Sequence, residues 1–99
     1  MTRIYNYTEI AAQIIDDEEA LKEYPHEKIN GYDGRWSALE FVALEDATYY
    51  MYENDTYGDE TCYLVVKYVD EQPVAVYETY DSLLQCLEDE EIIEVNWDR

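Results

Sequence analysis

The chain has 99 residues, 47% of them hydrophobic, and carries 25 Asp and Glu against 6 Lys and Arg, a formal net charge of −19. That length suits one domain with a single modest core, and the apolar content argues for folding over disorder. The charge speaks against direct binding to nucleic acid or to an anionic membrane and points to basic partners, namely a cation, a polyamine or a protein with a positive groove.

The acidity is even, with net charges of −5, −6 and −8 over residues 1–33, 34–66 and 67–99. A neutral domain with an acidic tail would read differently. Two cysteines, Cys62 and Cys86, follow a polar, aromatic start with no signal peptide or long apolar run. This predicts a cytoplasmic protein with reduced, buried thiols.

Thr8 is placed to cap a first helix with Glu9 in its first turn, and Ile10, Ile14 and Leu21 share a face. The block Asp16-Asp17-Glu18-Glu19 interrupts that face. Either one helix runs through it to Pro25, or Asp16 caps a second short helix ending near Tyr24. A loop over 25–35 carries the single histidine, His26, with Gly31 and Gly34. Ser37-Ala38-Leu39-Glu40 then matches a capping box, and Trp36 with Phe41 a hydrophobic staple. The pattern predicts a helix over about 38–45, with a strand as the rival reading of so short a run.

From Thr48 to Tyr80, three runs rich in β-branched and aromatic residues are separated by two polar clusters, 54–60 and Asp70-Glu71-Gln72-Pro73. They predict a three-stranded antiparallel meander. Its central strand is apolar on both faces and reads as scaffold. Eight of the twelve tyrosines lie in this stretch, interleaved with carboxylates and a single lysine, Lys67. Asp81 is placed to cap a last helix from Ser82 to about Asp89, burying Leu83, Leu84, Cys86 and Leu87. Glu88 to Glu91 crowd the C-terminal end of that helix, where negative charge is unfavourable. Ile93, Val95 and Trp97 alternate as a final strand. The expected fold is α+β: a three- to four-stranded antiparallel sheet packed with two to three helices.

Catalytic and cofactor signatures are absent. No Ser or Cys stands in a nucleophile motif and no Gly-rich phosphate loop occurs. Carboxylate pairs are uninformative among 25 acids. Aligning Gly58 with the glycine of a calcium loop leaves Leu64 where the bidentate Glu belongs, so no dedicated metal site is expected. The sequence predicts no enzyme, no cofactor and no metal.

The acids are spaced for another purpose. Alternate strand residues repeat at about 6.6–7 Å, and helix residues four apart at about 6 Å. Both match the roughly 6–7 Å between neighbouring phosphates of one DNA strand. Carboxylates so placed can occupy phosphate positions in a protein groove, with tyrosines adding contact area at low entropic cost.

In size, acidity, layout and tyrosine–carboxylate interleaving the chain resembles the DNA-mimic inhibitors of phages and mobile elements. These include anti-restriction and anti-CRISPR proteins and inhibitors of uracil-DNA glycosylase. The resemblance spans the chain at the level of composition and pattern. It implies a stoichiometric blocker of a basic DNA- or RNA-binding protein such as a restriction enzyme or CRISPR effector, and leaves monomer and homodimer both open.

The residues expected at the partner surface are Asp16, Asp17, Glu18 and Glu19; Glu53, Asp55, Asp59 and Glu60; and Asp70 and Glu71. Tyr49, Tyr57 and Tyr63 are the expected aromatic contacts. The rival reading is an immunity or antitoxin protein that neutralises a basic nuclease toxin. A halophilic or solubility adaptation is the bland reading of the charge, and twelve tyrosines and seven isoleucines fit it poorly.

Overall fold

The structure is a computed structural model and describes residues 3–17, 36–54 and 63–97. In chain order the elements are β1 (Arg3–Asn6), α1 (Tyr7–Ala12), β2 (Trp36–Ala43), β3 (Thr48–Asn54), β4 (Tyr63–Val69), β5 (Gln72–Thr79), α2 (Leu83–Asp89) and β6 (Ile93–Asn96). Strands β2-β3-β4-β5 form an antiparallel meander of four strands, and β1 pairs in parallel with β6 in a separate small sheet.

The expected meander is present as β3, β4 and β5. The helix expected over 38–45 is instead β2, and a bulge explains why its pattern misleads. The register against β3 shifts between Ala38 and Glu40, leaving Leu39 as an extra residue. With Leu39 set aside, Trp36, Ala38 and Phe41 share one face while Ser37, Glu40 and Val42 share the other. Read straight through, the alternation breaks, and the Ser37–Glu40 spacing imitates a capping box. Trp36 and Phe41 do belong to one cluster, as same-face strand residues.

The first helix is only six residues long and its cap is Asn6, whose Oδ1 accepts from the Thr8 N–H at 3.0 Å, two residues earlier than the expected cap Thr8. After Gln13 the chain extends. Ile15 exchanges backbone hydrogen bonds of 2.8 and 2.9 Å with Phe41, pairing the outer edge of β2. A helix running unbroken through Asp16 is thereby excluded; residues 18–24 lie outside the described ones. The last helix is capped by Ser82 rather than Asp81, with Ser82 Oγ accepting from Gln85 N–H at 3.2 Å. The final strand pairs with β1 and does not extend the meander.

Both faces of the meander are buried. On one, Val42, Tyr49, Met51 and Val65 pack with Ile10 of α1, with Leu83, Leu84, Cys86 and Leu87 of α2, and with Ile93 and Val95 of β6. On the other, Trp36, Tyr50, Tyr52, Leu64 and Val66 form an aromatic cluster. There Phe41 stacks on Tyr50 at 4.6 Å, Tyr68 meets Tyr50 edge-on at 5.3 Å, and the Tyr52 and Tyr68 hydroxyls bond at 2.8 Å. Leu64, Val65 and Val66 are buried in succession, so β4 is scaffold on both sides, as its composition predicts.

Candidate partner-binding surface

A meander sends alternate turns to opposite ends of its sheet. The β2–β3 turn over Leu44–Ala47 and the β4–β5 turn at Asp70-Glu71 therefore share one end, where Glu45, Asp46, Asp70 and Glu71 rim a hollow of about 230 Å³ lined also by Tyr50 and Tyr68. Glu53, near the end of β3, lies half-buried at the opposite end. With seven residues in β3, the two ends are roughly 20 Å apart. Glu53 and the pair Asp70-Glu71 thus belong to different ends of the sheet.

Asp70 and Glu71 are exposed and both held at positive φ, 51° and 66°. These are the two central positions of the tight turn that pairs Val69 with Gln72, a conformation that matches strand twist and favours Gly or Asn. Strand β5 begins at Gln72, with Pro73 tolerated because β5 is an edge strand. Asp16 and Asp17 are exposed beyond the Ile15 bridge. There Asp16 lies close enough to Glu40 that its charge, after burial as the larger cause, raises the Glu40 carboxyl above its usual range.

The aromatic expectations change most. Tyr49 is 3% exposed and belongs to the core, where burial, then Tyr77 and Asp46, push its hydroxyl up to about 12. Tyr63 is half-buried against the same cluster. Tyrosine carries a large apolar ring, and a strand buried on both faces uses that ring as core. Of the seven described tyrosines in the stretch, Tyr80 is the prominent exposed one at 79%. Glu18, Glu19, Asp55, Tyr57, Asp59 and Glu60 lie outside the described residues, as do His26 and Cys62.

Sequence reasoning missed Glu45 and Asp46, because a helix over about 38–45 took in Glu45 and ended beside Asp46. The signal was the polar dip Leu44-Glu45-Asp46-Ala47 between two aromatic, β-branched runs. It also read Glu88 only as charge at the unfavourable end of the helix, whereas that carboxylate is used by the fold. Its Oε2 accepts from Val95 N–H at 3.2 Å, and its Oε1 from Trp97 Nε1 at 3.0 Å and Gln85 Nε2 at 3.4 Å. It ties α2 to the outer edge of β6.

Glu90 and Glu91 follow as a Schellman ending. Glu91 N–H bonds Glu88 C=O at 3.0 Å and Ile92 N–H bonds Leu87 C=O at 2.9 Å, with Glu91 at φ 60° where glycine is usual.

Among the described residues no group of three or more His, Cys, Asp or Glu is arranged to hold a metal ion. Cys86 is free and buried, and burial drives its thiol up to about 11, so it stays protonated and unreactive at neutral pH. No described helix is long and apolar enough to cross a membrane. Comparison with protein-family models, curated proteins and solved structures finds no match for this chain.

Proposed function

We propose that this protein is a DNA-mimic inhibitor of the anti-restriction or anti-CRISPR kind, a stoichiometric blocker that occupies the nucleic-acid site of a basic defence or DNA-processing protein in a bacterial cytoplasm. One observation carries the reading. At the exposed end of the meander, Asp70 and Glu71, both acids, are held at positive φ. Left-handed backbone costs an L-residue about 1–2 kcal/mol relative to glycine. Charge retained against local stability is what a functional surface looks like. The net charge of −19 adds to this, because a folded body so charged repels itself unless a basic partner relieves it.

A second reading, an immunity protein against a basic nuclease toxin, is favoured by the gathering of Glu45, Asp46, Asp70 and Glu71 at one end of the sheet.

Affinity capture from a bacterial lysate, followed by DNA competition at two salt concentrations, separates these. The mimic captures a basic DNA-binding protein at about one-to-one stoichiometry, and DNA displaces the inhibitor. Capture that is insensitive to salt removes electrostatics as the main term. A partner without a nucleic-acid site ends the mimic reading.

A further inference from the structure

An open sheet ends in outer strands whose free backbone groups are left for a cover, for water or for another strand. Two outer strands of this chain have closures. The outer side of β2 takes the backbone bonds of Ile15, and on β6 the Val95 N–H is held by Glu88 Oε2 at 3.2 Å. Strand β5 is the other outermost strand of the meander, and among the described residues no strand pairs its outer side. Pro73 and the register shift between Lys67 and Tyr68 disrupt the start of β5, whereas residues 75–79 run in unbroken register along β4. Val74, 57% exposed, and Tyr80, 79% exposed, flank that run with apolar surface.

The charge along this edge has one sign. Between 70 and 82 stand four exposed acids, Asp70, Glu71, Glu78 and Asp81, and no basic residue. Lysine is the charge most used to blunt an edge. The one lysine of the β4–β5 ladder, Lys67, stands on β4 opposite Ala75. An edge bordered by acids alone rejects acidic strands, a second copy of this chain included, and admits a basic one.

We propose that the outer edge of β5 adds a strand from a basic partner protein, an extended segment in which Lys or Arg alternates with apolar residues. The segment continues the backbone ladder over residues 75–79. One of its cations stands opposite Glu78, and an aliphatic stem covers Val76 on the same face. Its apolar residues fall on the other face beside Ala75 and Tyr77, where Tyr77 already packs on the core. The inference rests on the inhibitor reading only in taking a basic protein as the partner; DNA mimicry does not enter it.

The test is an amide NMR titration of the full chain, with amide exchange, using a short alternating lysine–valine peptide. One control is the same peptide N-methylated at alternate residues, which keeps the charge and removes backbone donors. The other is the glutamate–valine peptide. The lysine–valine peptide is expected to give saturable shifts and slowed exchange at residues 75–79, binding about tenfold tighter than either control. Glu78→Lys, at an exposed position, is expected to weaken that binding about fivefold. Absence of saturable shifts on β5 overturns the proposal. So does an N-methylated or a glutamate–valine peptide that binds as tightly, or affinity unchanged in folded Glu78→Lys. The wild-type comparison decides the matter even where the variant fails to fold. Failure here leaves the result of the DNA competition standing, and a partner that DNA does not displace leaves this edge standing.

Discussion

The corner between α2 and β6 and the turn end of the meander both concentrate carboxylates, and they use them in opposite ways. At the corner, Glu88 spends its two oxygens on Val95, Trp97 and Gln85, so its charge is consumed by the fold. At the turn end, Asp70 and Glu71 are exposed, stand at positive φ and face Glu45 and Asp46 across an open hollow. The acids at the turn end sit where like charges repel and where the backbone favours glycine. A run of acids in sequence therefore says little until each carboxylate is assigned to hydrogen bonds or to solvent.

The largest expected effect comes from breaking the turn end. Reversing Asp46 and Asp70 to lysine is expected to weaken capture of a basic partner by about a hundredfold or more, since attraction becomes repulsion at both turns. The same change relieves self-repulsion, so the thermal midpoint should hold or rise. Unchanged affinity, measured by calorimetry against the captured partner, would move the interface elsewhere. Loss of the fold would make these acids structural.

The corner should show the mirror image. Glu88→Ala removes three hydrogen bonds and unties α2 from β6, costing about 1–3 kcal/mol. For a domain of this size that is a fall of roughly 5–20 °C in thermal midpoint. Partner affinity of the folded fraction should not change. A Glu88→Ala protein that melts like wild type but binds poorly would reverse the assignment of the two regions.

The meander and the last helix were legible because their signals are local. Strands β3 to β5 alternate cleanly between polar clusters, and Leu83, Leu84 and Leu87 fall on one helical face. Strand β2 was illegible because one bulged residue, Leu39, flips the phase of the alternation midway. Strand β1 has four residues, and its partner β6 lies some ninety positions away, so no window of sequence contains the pairing. The tyrosines misled for a chemical reason. Their hydroxyls suggest a surface, but Tyr49, Tyr50 and Tyr52 are buried. The site suffered from the same two causes: the misread β2 hid Glu45 and Asp46, and Tyr49 went to the core.

The left-handed positions sharpen the contrast further. Glu91→Gly and Glu71→Gly each relieve an unfavourable φ and should each stabilise the fold by about 0.5–1 kcal/mol. Glu91→Gly also removes a negative charge from the C-terminal end of α2, a small gain in the same direction. The two should part in binding: Glu71→Gly loses partner affinity while Glu91→Gly keeps it. Denaturant melts paired with binding isotherms check both halves, and a destabilised Glu71→Gly would contradict the turn geometry.

The smallest effect lies where the Ile15 bridge sets Asp16 beside Glu40. Folding half-buries Glu40 and brings Asp16 near, and both raise its pKa above the usual 4.5. The folded chain therefore holds this proton more tightly than the unfolded one. Its contribution to stability is full below about pH 4.5 and is lost as pH rises through the folded value. Glu40→Gln removes the ionisation while keeping the shape, so at pH 7 it should be the more stable protein, with the advantage closing as pH falls towards 4. Asp16→Asn removes the lesser cause and should give a smaller advantage of the same sign. Thermal midpoints of the three proteins across pH 4–8 measure this directly. Parallel curves for wild type and Glu40→Gln would mean that Glu40 stays fully hydrated and that the 13–17 segment does not close against β2 in solution.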